Sequence, residues 1–272
     1  MNRRAALMVA LLGGALFLCC CTAPRTQEAQ RAPAPDSNWR AHANLSAADL
    51  RRIYEAANFD NDRRAVCLMA MDEGLIRHGG PVSAADEIFG TQFAEKLPTA
   101  QEPYRWETVY FAAQIELPPR PDGVVEGVDF VGWSLALQYD RQGKILTHQL
   151  SNVHKSPGIP PPEDKREALV AELKRLYEEA RTERDRRDIC LRAIDEGVIR
   201  NAGNVREVDE VLGTHFASLL PTRKQGRRQA AVDLAPPAHG PGDSTAAAPV
   251  GWFFSVEYGD DGYVIDYFLS TH

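Results

Sequence analysis

Two strings concentrate the residues that could do chemistry: residues 67 to 77 read CLMAMDEGLIR and residues 190 to 200 read CLRAIDEGVIR. Each sets an acidic pair, Asp72-Glu73 or Asp195-Glu196, shortly before an arginine, Arg77 or Arg200. Carboxylates beside a guanidinium can serve as general acid and base, so a hydrolase working through these acids is the enzymatic alternative. The same pattern also has a structural use, because acids near a helix end and a following glycine orient a turn. Nothing else in the chain supports catalysis. There is no Gly-rich phosphate loop, no Cys or His pair at metal-ligand spacing and no serine elbow. The seven histidines are scattered, and His215 stands where the first string's continuation has Gln92. The expectation is a protein that is not an enzyme, with no catalytic residue, no metal and no cofactor.

The strings belong to a longer duplication. From Arg63 to Pro98 and from Arg186 to Pro221, twenty of thirty-six positions are identical at a spacing of 123. Upstream, Leu50 to Tyr54 matches Leu173 to Tyr177. Downstream, Val131-Gly132-Trp133 to Tyr139 recurs as Val250-Gly251-Trp252 to Tyr258 at a spacing of 119, so the second copy is four residues shorter in between. Each unit has about a hundred residues, enough to bury a core of its own. Between them, residues 155–162 read KSPGIPPP, whose fixed φ angles suit a stiff linker. The predicted organisation is repeat unit 1 over 45–154 and repeat unit 2 over 163–272. Cys67 and Cys190 sit at matched positions. They could pair in an oxidising compartment, but their helical, partly apolar surroundings favour two small buried hydrophobes.

Within each unit the apolar period changes from helical to alternating. Ser46 and Asp49 form a capping box for a first helix, with Leu45 placed to staple onto Leu50, and Asp164 and Glu167 have the same spacing in the second unit. Thr182 and Asp185 start another helix, and Gly197 stops it. A short third helix follows in each unit, built on Val82, Ala85, Ile88 and Phe89, or on Val205, Val208, Val211 and Leu212 after Asn204, and closed by Gly90 or Gly213. After Pro98 and Pro221, alternation predicts strands: Val109 to Ile115, Trp133 to Tyr139 and Lys144 to Asn152, then Ala230 to Leu234, Trp252 to Tyr258 and Tyr263 to Ser270. Helices followed by a three-stranded antiparallel meander, twice over, define an α+β fold. The Pro/Gly/Ala-rich segments Pro118 to Gly127 and Pro236 to Pro249 read as loops, the second carrying His239 and Asp243.

The N-terminus supplies a cellular address. Arg3 and Arg4 precede an apolar run from Ala5 to Leu18, too short to cross a bilayer and followed by Cys19, Cys20 and Cys21, as in a signal peptide over residues 1–21. Leu18-Cys19-Cys20-Cys21 resembles the bacterial lipobox. The resemblance implies fatty acylation, such as a palmitate, at Cys21, with Cys20 and Cys19 as alternatives. Residues 22–44, rich in Pro, Ala, Gln and Arg, then form a flexible tether. Thr22 is not Asp, which by the sorting rule of Gram-negative lipoproteins implies the outer membrane, facing the periplasm. Losing Arg3 and Arg4 makes the formal charge of −7 more negative still, which excludes a global basic field for nucleic acid.

Asn204, Val208 and Leu212-Gly213-Thr214, with Gly79, Pro81, Ala85 and Phe89-Gly90-Thr91 in the first unit, resemble the helix motif of the SmpA/OmlA (BamE) lipoprotein domain; that family's following Pro is replaced by His215 and Gln92. The duplicated plan resembles the beta-lactamase inhibitory proteins, which grip a partner with their sheets. Both resemblances imply protein binding or envelope assembly without a catalytic residue, with a structural spacer as the remaining alternative. The candidate partner-binding residues lie where the two units differ. If Tyr258 and Tyr263 bracket a turn, Phe253 and Phe268 are cross-strand neighbours opposite the Trp252 face, flanked by Glu257 and Asp266, where the first unit has Ser134 and Gln149; such a pair either meets a partner or packs against the other unit. The basic cluster Arg223, Lys224, Arg227 and Arg228 reads as a solvated loop.

Overall fold

The first helix begins as its side chains dictate: in the computed structural model Asp49 N donates to Ser46 Oγ at 3.2 Å while Ser46 N donates to the Asp49 carboxylate at 3.1 Å, closing the capping box of α1 (Ala47–Ala56). The structure describes residues 45–111, 114–116, 128–130, 132–152, 160–220, 226–235 and 251–271. The signal peptide, Cys19 to Cys21 and the tether lie outside the described residues, as do most of the 155–162 linker, His239, Asp243, Arg223 and Lys224.

The remaining helices are α2 (Asp60–Asp72), α3 (Ser83–Phe89), α4 (Glu163–Glu179), α5 (Glu183–Asp195) and α6 (Val205–Leu212). Thr182 Oγ1 accepts from Asp185 N to start α5, and Asn204 Oδ1 accepts from Arg206 N to start α6. Gly90 and Gly213, at φ 70° and 64°, end α3 and α6 in the left-handed conformation that a Cβ would penalise. The capping box expected at Asp164 and Glu167 does not form. Helix α4 starts at Pro162, without a side-chain acceptor, so Asp164 lies inside the first turn, where it and Glu163 favour the positive end of the helix.

The strands are β1 (Tyr104–Tyr110), β2 (Gln114–Glu116), β3 (Val128–Phe130), β4 (Trp133–Asp140), β5 (Ile145–Asn152), β6 (Arg228–Asp233), β7 (Trp252–Tyr258) and β8 (Val264–Thr271). Six of them form one antiparallel sheet in the order β1-β4-β5-β8-β7-β6, and β2 pairs with β3 alone. The first strand begins at Tyr104, ahead of the expected Val109, and the segment expected to extend it to Ile115 leaves the sheet. Phe111 is drawn into the core against Tyr54 and Phe89, which takes the chain out of line and frees Gln114–Glu116 to pair elsewhere.

The two meanders meet in the middle of the sheet. Gln149 pairs with Ser270, Leu150 with Leu269 and Ser151 with Phe268, so β5 and β8 join the two halves of the chain edge to edge. One continuous apolar core therefore runs under both, within a compact unit that spans residues 40–272. Its sheet side is the face of Trp133, Leu135, Leu137 and Tyr139 and of Phe254, Val256 and Tyr258, against which α2 packs on β4 and α5 on β7. Each fully buried Leu or Phe contributes about 2 kcal/mol.

The repeated Gly-Thr has a local purpose. The Asp86 carboxylate accepts from Thr91 Oγ1 and from the N–H groups of Phe93 and Ala94, at 2.6, 2.7 and 2.8 Å. Asp209 accepts in the same way from Thr214, Phe216 and Ala217, at 2.6, 2.7 and 2.9 Å. These acids hold the short 3₁₀ turns after α3 and α6. Tyr139 and Tyr258 then donate their hydroxyls to the Phe93 and Phe216 carbonyls, clamping each turn to the sheet.

Candidate functional site

The acids of the repeated strings face guanidinium groups from the opposite half of the chain. Arg187, on α5 and 1% exposed, makes a two-pronged ion pair with Asp72 at the end of α2, at 2.8 and 3.1 Å. Arg64, on α2 and 6% exposed, does the same with Asp195 at the end of α5, at 2.8 and 2.6 Å. Each arginine also lies over the tryptophan ring of its own half: Arg64 is 4.6 Å from Trp133 and Arg187 is 5.3 Å from Trp252. Arg184 adds a second cation to Asp72 at 3.1 Å, and Asp188 a second carboxylate to Arg187 at 3.0 Å. Bidentate pairing occupies the oxygens of both aspartates and leaves them little capacity to handle a substrate proton. The Arg187 guanidinium is held above its usual range by Asp72 and Asp188, against a burial cost that works the other way.

The remaining repeated residues are divided. Arg200 is tied to Glu207 at 2.7 Å and to the Gly197 carbonyl. Arg77 has Ala84 at the position matching Glu207 and stays exposed. Cys67 and Cys190 are fully buried free thiols, pushed up in pKa first by desolvation, which makes both inert hydrophobes.

The candidate partner-binding residues share the sheet face turned away from the core. Phe253, Glu257, Asp266 and Phe268 all lie there, each partly buried. The expected pairing of Phe253 with Phe268 is corrected: Phe253 stands opposite Ser270 and Phe268 opposite Ser255. A register irregularity at Glu257/Tyr258 lengthens the turn, so Tyr258 meets Val264 rather than Tyr263 and the two phenyl rings become diagonal neighbours. Ser134, Ser255 and Ser270 are buried between larger neighbours on this face.

Glu257 and Asp266 are directly opposed. Burial, and secondarily the facing Glu257 carboxylate, raises Asp266 above the usual carboxylate range despite the Tyr267 N–H it accepts. Glu257 pairs with Arg227 at 3.2 Å, whereas no ion pair reaches Asp266 among the described residues.

The most exposed aromatics of this face were missed. Tyr104, Trp106 and Tyr110 alternate along β1, at 49%, 46% and 41% exposure, and pair with Asp140, Gln138 and Ser134. The signal was present as Tyr104-Arg105-Trp106-Glu107-Thr108, a period-two pattern upstream of the expected strand start. Register places Gln229 and Asp233 of β6 opposite Glu257 and Phe253, the positions that Trp106 and Tyr110 of β1 take on the other edge, so one rim is aromatic and the other polar.

Among the described residues no helix is long and apolar enough to cross a membrane and no cluster of His, Cys, Asp and Glu could hold a metal ion. Comparison with protein-family models, with curated proteins and with solved structures finds no significant match.

Proposed function

We propose that the chain is a non-enzymatic bacterial envelope lipoprotein, anchored through Cys21 or one of its neighbours Cys20 and Cys19, and made of two copies of one α+β module. The modules share a sheet whose core-distal face takes a protein partner. The observation that carries the reading is the composition of that face: an aromatic rim of Tyr104, Trp106 and Tyr110, buried serines at the centre, and the partly buried Asp266, which no ion pair reaches among the described residues. Aromatics around a partly desolvated polar centre suit protein recognition. The partner class that fits is a protein presenting a Lys or Arg toward Asp266 and Glu257, with apolar groups flanking it. Engagement of Asp72 and Asp195 by buried arginines supports a scaffold over a hydrolase.

Photo-crosslinking in intact membranes tests this reading. A photoreactive residue at Trp106 or at Phe253 captures the same discrete protein, and one at the exposed helical position Arg175 captures none. Equal capture from all three positions, or none from the sheet face, removes the proposal. Fatty-acid probe labelling of wild type beside Cys21→Ser, Cys20→Ser and Cys19→Ser tests the anchor: one substitution abolishes label, whereas label on none of the four proteins overturns lipidation.

A further inference from the structure

A second surface feature arises where the two halves differ. A cleft of about 330 Å³ is lined by Met71, Ile76, Arg77, His78, His148, Trp252 and Thr271. It lies beside the end of α2 and the β5–β8 junction. At the matching positions of the other half, Tyr267 stands for His148 and Asn152 for Thr271, joined by a hydrogen bond of 3.2 Å. His148 and Thr271 keep the hydrogen bond, at 3.0 Å, but the smaller imidazole replaces a phenol. At the same place the matched arginines diverge. Arg200 is neutralised by Glu207, whereas no hydrogen bond or ion pair engages the Arg77 guanidinium among the described residues, because Ala84 stands where Glu207 would.

We propose that this cleft binds a small organic carboxylate, its anionic end on Arg77 and His78 and a flat apolar body against Trp252, Met71 and Ile76. A guanidinium without a carboxylate is a ready partner for one, through two parallel N–H donors. His78 Nδ1 lies 2.7 Å from the Leu146 carbonyl and donates to it, which fixes the ring and leaves Nε2 for the ligand. One cation, one imidazole and an aromatic wall match a single anionic group on a planar body, and the volume falls at the small end of ligand sites. His148 stays neutral behind them, lowered to about 4 first by desolvation and then by Arg187 and His78, and adds no competing charge.

Benzoate is the probe, with neutral benzamide as its isostere, followed through the imidazole carbon-bound proton signals of the full chain. Benzoate shifts the His78 and His148 signals saturably and benzamide shifts neither. Arg77→Ala, at an exposed side chain, weakens binding about tenfold or more. Ala84→Glu, which restores the neutralising acid of the other half, weakens it to a similar degree, and the exposed Arg175→Ala leaves it unchanged. No saturable shift up to about 10 mM benzoate, equal binding of benzamide, or full affinity in both Arg77→Ala and Ala84→Glu overturns the proposal.

Discussion

A buried guanidinium tolerates the loss of its carboxylate poorly, and that asymmetry decides what the repeated acids are worth. Asp72→Ala removes the two-pronged partner of Arg187, which is 1% exposed, and leaves it only the Asp188 carboxylate at 3.0 Å, so it lowers stability by about 2 kcal/mol or more in chemical denaturation. Asp195→Ala costs less, because the Asp195 side chain is 36% exposed against 13% for Asp72. His148 sets a pH dependence of definite sign. With its folded pKa lowered from 6.5 to about 4, the unfolded chain takes up a proton first as pH falls through this window, and stability is lost there. The loss between pH 7 and pH 4 is on the order of 3 kcal/mol. His148→Tyr, copying Tyr267, removes that share of the slope in melts across pH. Ala202 is the one non-glycine at positive φ among the described residues, at 59°, where the first half has Gly79. Ala202→Gly relieves the left-handed penalty and raises stability by about 1 kcal/mol. Repetition of the acids was legible from sequence, but their partners were not: proximity pointed to Arg77 and Arg200, whereas Asp72 and Asp195 meet Arg187 and Arg64 of the opposite half, because spacing along a helix says which residues share a face and nothing of what that face meets.

At the scale of elements, local chemistry was the most readable. Ser46, Thr182 and Asn204 start their helices because each supplies an oxygen to a backbone N–H that would otherwise lack a partner, a requirement written in adjacent residues. Pro162 overrode the box at Asp164 by setting the chain's entry first. Strand pairing was less readable, because period-two patterns fix which face a residue takes but not its register. That is why Phe253 and Phe268 were placed on the right face and in the wrong pairing, and why β1 with its aromatic rim was entered five residues late. Asp86 accepts three hydrogen bonds at once, so Asp86→Ala loosens the turn that Tyr139 clamps. It lowers the melting transition by an amount equivalent to about 2 kcal/mol, with Asp209→Ala matching it in the other half.

The whole molecule is governed by the join between β5 and β8. A hundred-residue unit could bury its own core, so the sequence pointed to two self-sufficient units, and the edge-to-edge pairing that merges their sheets leaves no local trace in composition or spacing. With the sheet shared, the arginine of each half crosses to the aspartate of the other, and the core-distal face becomes one six-stranded surface broad enough for a partner. Neither half is then free to melt alone, because unfolding one strands a buried arginine and an open strand edge on the other.

Differential scanning calorimetry of the chain without its first 39 residues tests this coupling most directly. The interlocked halves predict a single transition whose calorimetric and van't Hoff enthalpies agree, moved to lower temperature as one peak by Asp72→Ala. Two separable transitions, with Asp72→Ala displacing only one of them or neither, would contradict it.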